Sequence, residues 1–114
     1  MDSHDRQVLK KMLEHADSIT EYCENCDSQD AFESDKMRME ACVFNLMQIG
    51  ELAKSALSEI TRSKIHSIPW KQIFGMRNRI VHGYSGIDLS IVWETVHDDI
   101  PKLRNELKNI LTEL

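Results

Sequence analysis

The octapeptide RNRIVHGY, residues 77–84, concentrates side chains that could act on a phosphodiester. Histidine transfers protons near neutral pH, and an arginine guanidinium binds phosphate oxygens through paired N–H donors. These residue types suit RNA cleavage in which the ribose 2′-hydroxyl attacks its own phosphate and a cation stabilises the pentacoordinate phosphorus. The candidate residues are Arg77, Asn78, Arg79, His82 and Tyr84.

The spacing of these residues leaves two questions open. One histidine cannot easily be the acid and the base of one step, so we predict a symmetric dimer that brings two copies of His82 together. Arg77 lies five residues before His82, which places the two about 140° apart on a continuous helix. Either the helix unwinds at His82, or the two residues meet in a groove between chains. Asn78, four residues before His82, could orient its ring.

The alternative is a structural role at the polar end of an ordinary helix, where Arg and His oppose the helix dipole.

The distribution of charge along the chain favours binding of a polyanion. The net charge is −5, yet the stretch 60–87 holds five Lys or Arg and no Asp or Glu. A basic region on an acidic body attracts RNA locally. From this stretch we predict that Arg62, Lys64 and Lys71 bind RNA.

Composition predicts one globular domain, residues 1–114, with 41% apolar residues. No apolar run approaches the roughly 20 residues that cross a bilayer, and the polar start MDSHDRQVLKKM does not resemble a signal peptide. We therefore expect a cytoplasmic protein with no membrane partner. Cys23, Cys26 and Cys42 lack the second C-x-x-C that a zinc site requires, so they are expected to be reduced thiols rather than metal ligands.

Apolar residues recur every three or four positions, which predicts helices and no strands. The pattern indicates an all-α, four- to five-helix antiparallel bundle. Gly50 lies inside the second helix, where close helix packing or close approach of a ligand could explain it. The neighbouring Glu51 either orients a motif arginine or is a solvated carboxylate. The predicted helices run from about Val8 to Cys26, Asp35 to Ile60, Pro69 to Gly83, and Asp88 to Leu114 with an interruption at Pro101.

The motif and its flanks resemble the HepT-like toxins, a branch of the HEPN ribonuclease superfamily. RNRIVHGY is similar to the family pattern R-x(4–6)-H-x-Y, with Arg77, His82 and Tyr84 at the three fixed positions and Asn78 as the polar residue that typically follows the arginine. Three longer segments also resemble the family, and they occur in the same order: NLMQIGELAKSAL, IPWKQIFGMRNRIVHGY and DLSIVWETVHDDIPKLRNEL.

The resemblance implies a homodimer whose two motifs face a shared cleft, and a metal-independent endoribonuclease without a cofactor. It implies a toxin whose antitoxin partner is a small nucleotidyltransferase that transfers AMP to Tyr84. On this reading Arg77 and His82 are catalytic, and Asn78 and Arg79 support them. Two other readings remain: a non-catalytic, nucleotide-binding helper subunit of a nucleotidyltransferase, and a purely structural helical bundle.

Overall fold

A computed structural model describes residues 1–113, and these residues contain helices and no strand. The predicted all-α class is therefore confirmed. Two π-helical segments, Leu52–Ala56 and Thr95–Asp99, and a 3₁₀ turn, Tyr84–Gly86, accompany the α-helices. The α-helices are α1 (Ser3–Tyr22), α2 (Gln29–Ser34), α3 (Lys36–Glu51), α4 (Glu59–Lys64), α5 (Trp70–Gly83), α6 (Leu89–Glu94) and α7 (Ile100–Thr112).

Four long rods form the bundle: α1, α3 with its π-helical extension, α5, and α6 joined to α7 by the second π-helical segment. Helix α1 packs against α3 and α7, and α3 packs against α5. The start of α1 meets the end of the α3 rod, where the His4 ring lies 2.9 Å from the Ala56 carbonyl oxygen. Its end meets the start of α3, where Arg38 donates to the Tyr22 carbonyl at 2.7 Å. These two rods are therefore antiparallel, as predicted.

The sequence explains the helix starts and the core. Asp35 accepts a hydrogen bond from the Arg38 N–H and caps α3, and Asp88 caps α6 in the same way through Ser90. The apolar stripes of α1 and α7 face inward, and the stripe of α3 does so in part. None of the helices within residues 1–113 combines the length and apolar character needed to span a bilayer. The fully buried apolar side chains include Leu9, Met12, Ile19, Phe32, Ile49, Val92 and Leu107.

Three predicted boundaries are wrong. The segment 27–35, expected to be a loop, contains α2, because Ser28 caps it and Phe32 anchors it in the core. The first helix ends at Tyr22, before the cysteine pair. The second helix ends at Ala56, since Leu57 is extended and Ser58 caps the short helix α4 within the expected connector.

A buried carboxylate holds the turn between the π-helical segment Leu52–Ala56 and α4 in place. Asp5 on α1 is 1% exposed and accepts hydrogen bonds from the Ser58 N–H at 3.1 Å, the Ser58 hydroxyl at 2.5 Å, and the Thr61 hydroxyl. Burial by itself raises the pKa of Asp5, but these hydrogen bonds outweigh it and lower the pKa below its usual value. Asp5 therefore holds the start of α4 against the start of α1.

The interruption predicted at Pro101 is a change of helical type rather than a break in the last rod. Pro101 occupies the first turn of α7, and the π-helical segment Thr95–Asp99 directly precedes this helix. Proline has no N–H to donate to a carbonyl four residues earlier, so one α-helical hydrogen bond cannot form. The wider π-helical turn before Pro101 accommodates this loss. The rod stays continuous, so α6 and α7 together cover one side of the bundle.

Candidate functional site

The motif lies at the carboxyl end of α5. Arg77, Asn78, Arg79 and His82 belong to this helix, which stays regular through His82 and ends at Gly83. Of the two alternatives left open by the spacing, unwinding at His82 is therefore excluded, and a meeting of Arg77 and His82 in a groove between chains stays a prediction. The His82 side chain is exposed in the last turn, and Tyr84 begins the 3₁₀ turn that follows. Within one chain, Arg77 and His82 remain on different faces of the helix.

Glu51 orients the motif arginine. The Arg77 Nε donates to Glu51 Oε1 at 2.5 Å across the contact between α5 and α3. The Arg77 side chain is 20% exposed and that of Glu51 is 37% exposed, so the ion pair is partly shielded from water. The sequence offered this pairing only as the less favoured of two readings, because nothing in it specifies how α3 and α5 cross.

Asn78 completes the same arrangement. Its Oδ1 accepts a hydrogen bond from Arg77 Nη1 at 3.0 Å. No hydrogen bond links Asn78 to His82 within residues 1–113; Asn78 contacts Arg77 instead, and orientation of the imidazole by Asn78 stays a prediction. With Nε and Nη1 engaged, Nη2 of Arg77 has no hydrogen-bond partner in the described part of the chain and can donate to a phosphate oxygen.

Gly50 is required by the position of Arg77. A Cβ atom at Gly50 would overlap the Arg77 Cβ and lie 2.8 Å from its Cγ. Of the two explanations considered for this glycine, close helix packing is therefore the correct one. The two backbones approach at this point, next to Glu51 on α3, whose carboxylate contacts the guanidinium.

The Tyr84 phenol lies against α3. Its hydroxyl points at the Met39 sulfur, 3.7 Å away, and the ring borders a shallow depression between α3 and α5. Partial burial and the Glu40 carboxylate raise the pKa of Tyr84, so the phenol is protonated at neutral pH. The residue is nevertheless 41% exposed.

An apolar strip surrounds this depression. Phe44 and Met37 lie on the apolar stripe of α3, yet they are 53% and 85% exposed. Val81, which lies between Arg77 and His82 in the sequence of α5, is also exposed. We define the α3–α5 strip as the exposed apolar side chains Met37, Phe44, Val81 and Tyr84.

The predicted RNA-binding residues separate into two groups. Lys64 and Lys71 are exposed, at the end of α4 and the start of α5. Arg62 instead donates through Nη1 to the carbonyls of Ala53 and Leu57, at 2.8 and 2.6 Å. It caps the carboxyl end of the α3 rod, and we leave it out of the proposed RNA surface.

A groove of about 430 Å³ runs beside the motif, between α5 and the α6–α7 rod; we call it the α5–α7 groove. Its floor is apolar and includes Leu46, Met76 and Leu103. Lys71 and Arg79 line the α5 wall, whereas Glu94 and Asp99 line the opposite wall. None of these four charges forms an ion pair within residues 1–113.

Gly75 lies in that groove, and sequence reasoning missed it. It occupies the interior of α5, where glycine costs about 1 kcal/mol relative to alanine. Unlike Gly50, it has no packing reason within the chain, because a Cβ atom there would meet nothing within 4 Å. The available signal was a glycine in the middle of an otherwise periodic helix.

The thiols lie near one another. Cys23, Cys26 and Cys42 are unbridged, and the sulfurs of Cys23 and Cys42 lie 3.5 Å apart. Hydrogen bonding from Cys42 lowers the pKa of Cys23. Within residues 1–113, no three His, Cys, Asp or Glu side chains gather closely enough to hold a metal ion.

Comparison with known proteins identifies the family. The sequence model of the family described as "Ribonuclease HepT-like" matches residues 12–110. The chain is 35% identical to a protein of Caldanaerobacter subterraneus subsp. tengcongensis named "Putative RNase", over 93% of both chains. It is 30% identical to a "Probable ribonuclease HepT" of Thermococcus cleftensis, over 92% of this chain and 94% of that one.

A Methanocaldococcus jannaschii protein named "Gamma-glutamylcyclotransferase and putative RNase" is 38% identical over 93% of the chain, which spans only 47% of that longer protein. No solved structure matches the chain. The family match covers most of the sequence, including α3, the whole of α5 and the motif at its end. The chain therefore belongs to the HepT-like ribonuclease family.

Proposed function

We propose that this protein is an endoribonuclease that cuts RNA as a homodimer, without a metal ion. The observation that carries the proposal is the fixed guanidinium of Arg77, held by Glu51 and Asn78 with Nη2 left open, on the same helix end as the exposed His82. Such a preorganised cation stabilises charge that develops on a phosphate in the transition state. The names of the relatives, which describe ribonucleases, support the same activity.

In the proposed reaction, the 2′-oxygen of a ribose bonds to the adjacent phosphorus as the bond to the 5′-oxygen breaks. One His82 takes the proton of the 2′-hydroxyl, and a second His82 gives a proton to the departing 5′-oxygen. The products are a 2′,3′-cyclic phosphate and a 5′-hydroxyl end. Arg77 stabilises the pentacoordinate phosphorus, and the exposed Lys64 and Lys71 hold neighbouring phosphates.

The second histidine would come from a second copy of the chain. The α3–α5 strip lies directly beside the motif and is the exposed apolar surface nearest to it. A two-fold axis through this strip would bury Phe44 and Val81 against their symmetry mates and bring the two α5 ends together. The arrangement also removes the problem that Arg77 and His82 occupy different faces of one helix.

The regulatory part of the proposal concerns Tyr84. We propose a toxin–antitoxin pair in which a nucleotidyltransferase partner transfers AMP to the phenolic oxygen. The phenol attacks the α-phosphorus of ATP, pyrophosphate leaves, and the phenolic proton passes to solvent. AMP on Tyr84 would place bulk and negative charge two residues from His82 and at the edge of the α3–α5 strip, where it would repel RNA and hinder pairing of the chains.

The test is cleavage of a labelled single-stranded RNA by the purified protein in excess EDTA. We expect cutting by the wild type and a loss of about a hundredfold or more in His82→Ala and Arg77→Ala. His66→Ala, which removes an exposed histidine of the α4–α5 connection, is the matched control and should cut normally. An RNA with 2′-deoxyribose at the cut position should resist cleavage.

Two results would count against the proposal. If wild-type protein with Tyr84 shown by mass spectrometry to be unmodified cuts no RNA, the nuclease assignment fails and the nucleotide-binding helper subunit becomes the better reading. If His82→Ala cuts as fast as the wild type, the motif is not the catalytic site. Circular dichroism of each variant separates these results from a loss of folding.

A further inference from the structure

We infer that the α5–α7 groove is a binding site for one nucleobase of the RNA substrate, next to the phosphate that is cut. The inference deepens the proposed ribonuclease function and rests on it. The groove lies outside the R-x(4–6)-H-x-Y motif except for Arg79, which lines it. Three features carry the assignment: the position of the groove on α5, the charges on its two walls, and the glycine on its α5 wall.

The first feature is position. Gly75 and Arg79 lie on the same side of α5, one helical turn apart, and both line the groove. His82 follows Arg79 by three residues, so it lies about one turn further along that side of the helix. A nucleotide whose base enters the groove therefore has its ribose and phosphate near the end of α5, where His82 is exposed.

The second feature is charge. Arg79 and Lys71 on α5 can bind phosphate oxygens, while Glu94 and Asp99 on the opposite wall can accept hydrogen bonds from the exocyclic amino group of a base. The apolar floor suits the flat face of the ring. Because the four charges are unpaired in the described part of the chain, a ligand can engage them without first breaking an ion pair. The pattern favours guanine, adenine or cytosine over uracil, which has no amino group.

The third feature is Gly75. Its missing side chain is not used for packing within the chain and is not needed for an unusual backbone angle. Glycine in a helix interior leaves room for another molecule to approach the backbone closely. A base lying against α5 would use this room. The other possible occupant is a helix of a second copy of the chain, and the experiment separates the two.

The binding experiment titrates full-length, isotopically labelled protein with GMP, AMP, CMP and UMP and follows amide shifts by NMR. We expect the shifts to include Gly75 and Arg79, and UMP to bind about tenfold more weakly than the best of the others. Glu94→Gln and Asp99→Asn should reduce that preference, whereas the matched control Glu24→Gln, in an exposed turn outside the groove, should leave it unchanged.

The decisive variants change Gly75. Gly75→Ala should raise the thermal midpoint, because alanine favours the helix and meets no neighbour, yet it should weaken nucleotide binding. Gly75→Leu should fill the groove and abolish binding. Gly86→Ala, at another glycine with open space around its Cβ position, is the control and should bind normally. A protein that is more stable but binds less well cannot be explained by a loss of folding.

Several outcomes would overturn the inference. Equal affinity for UMP and the amino-bearing nucleotides removes the role of Glu94 and Asp99, and normal binding by Gly75→Leu removes the groove itself. If Gly75→Leu changes the oligomeric state while no nucleotide binds to the wild type, the groove is an interface between copies. The function is judged separately: wild-type cleavage of RNA with unchanged cleavage and base preference in Gly75→Leu would sink this inference and leave the ribonuclease intact.

Discussion

Arg77 and Glu51 are held together across the contact between α5 and α3, with 2.5 Å between Nε and Oε1, and this pair fixes which edge of the guanidinium remains open. Asn78 occupies a second donor of the same group. The motif arginine is thus positioned by a residue 26 positions earlier in the chain, outside the motif itself. The close packing at Gly50 makes this pairing possible.

Glu51→Gln should slow RNA cleavage about tenfold with little change in KM, because the substrate phosphate still meets Arg77 but the guanidinium is less well held. Steady-state kinetics on a single-stranded RNA measure both constants. Glu59→Gln, an exposed carboxylate on α4, is the control. A change in thermal midpoint that accounts for the lost activity would instead give Glu51 a purely structural role.

Phe44→Glu should convert the proposed dimer to a monomer, because it places a charge in the centre of the α3–α5 strip. Sedimentation velocity measures the mass, and the same samples are assayed for cleavage, which should be lost. Ile60→Glu changes a side chain that is 68% exposed on α4 and should leave the mass unchanged. A dimeric Phe44→Glu protein would place the interface elsewhere.

Mixed dimers test whether two histidines are needed. At constant total protein, wild type is refolded together with increasing His82→Ala protein, so that the chains combine at random. Activity should fall with the square of the wild-type fraction if both copies of His82 serve one reaction. A linear fall would mean that each chain acts alone, and the composite site would have to be abandoned.

Asp5 should make stability depend on pH. Because its folded-state pKa lies below the ordinary value of 3.8, its hydrogen bonds contribute fully above about pH 5 and are lost as the pH falls through the folded-state pKa. Asp5→Asn should therefore cost about 1–3 kcal/mol of unfolding free energy at pH 7, with a smaller difference near pH 3. Urea titrations at several pH values measure it. Asp27→Asn, in an exposed loop, should show no such dependence.

The thiol pair gives a redox prediction. Hydrogen peroxide should oxidise the Cys23 thiol to a sulfenic acid and release water; the Cys42 thiol then displaces a second water to form a disulfide. The half-buried position of Cys23 and its lowered pKa make it the attacking residue. Peptide mapping should find the 23–42 link in wild type and in Cys26→Ser, but not in Cys42→Ser. A 23–26 link would contradict the geometry.

The helices could be predicted from the sequence where a local signal marks them. Pro69 and Gly83 bracket α5, and Asp35 and Asp88, at the predicted starts of the second and the last helix, cap α3 and α6. The short helix α2 was missed because six residues carry too little periodicity to show a pattern, and its only anchor is Phe32.

The site was less predictable, because its partners are set by packing. Arg62 has the charge of an RNA ligand, but its position beside the open carbonyls at the end of the α3 rod makes it a cap. Phe44 continues an apolar stripe, but no other element within residues 1–113 covers that part of α3, and the side chain is left exposed. The pairing of Glu51 with Arg77 likewise depends on a helix crossing that spacing alone does not determine.

The π-helical segment between α6 and α7 also affects which side chains of this rod line the α5–α7 groove. In an α-helix, residues five apart differ by about 140° around the axis, which would turn Glu94 and Asp99 to different sides. In a π-helix, hydrogen bonds join residues five apart, so such residues lie near one another on one side of the helix. Each π-helical hydrogen bond spans one residue more than an α-helical one, so the side chains after the segment are rotated about the axis by one residue position. The one-residue shift just before Pro101 is therefore consistent with Glu94 and Asp99 lining the same wall of the groove.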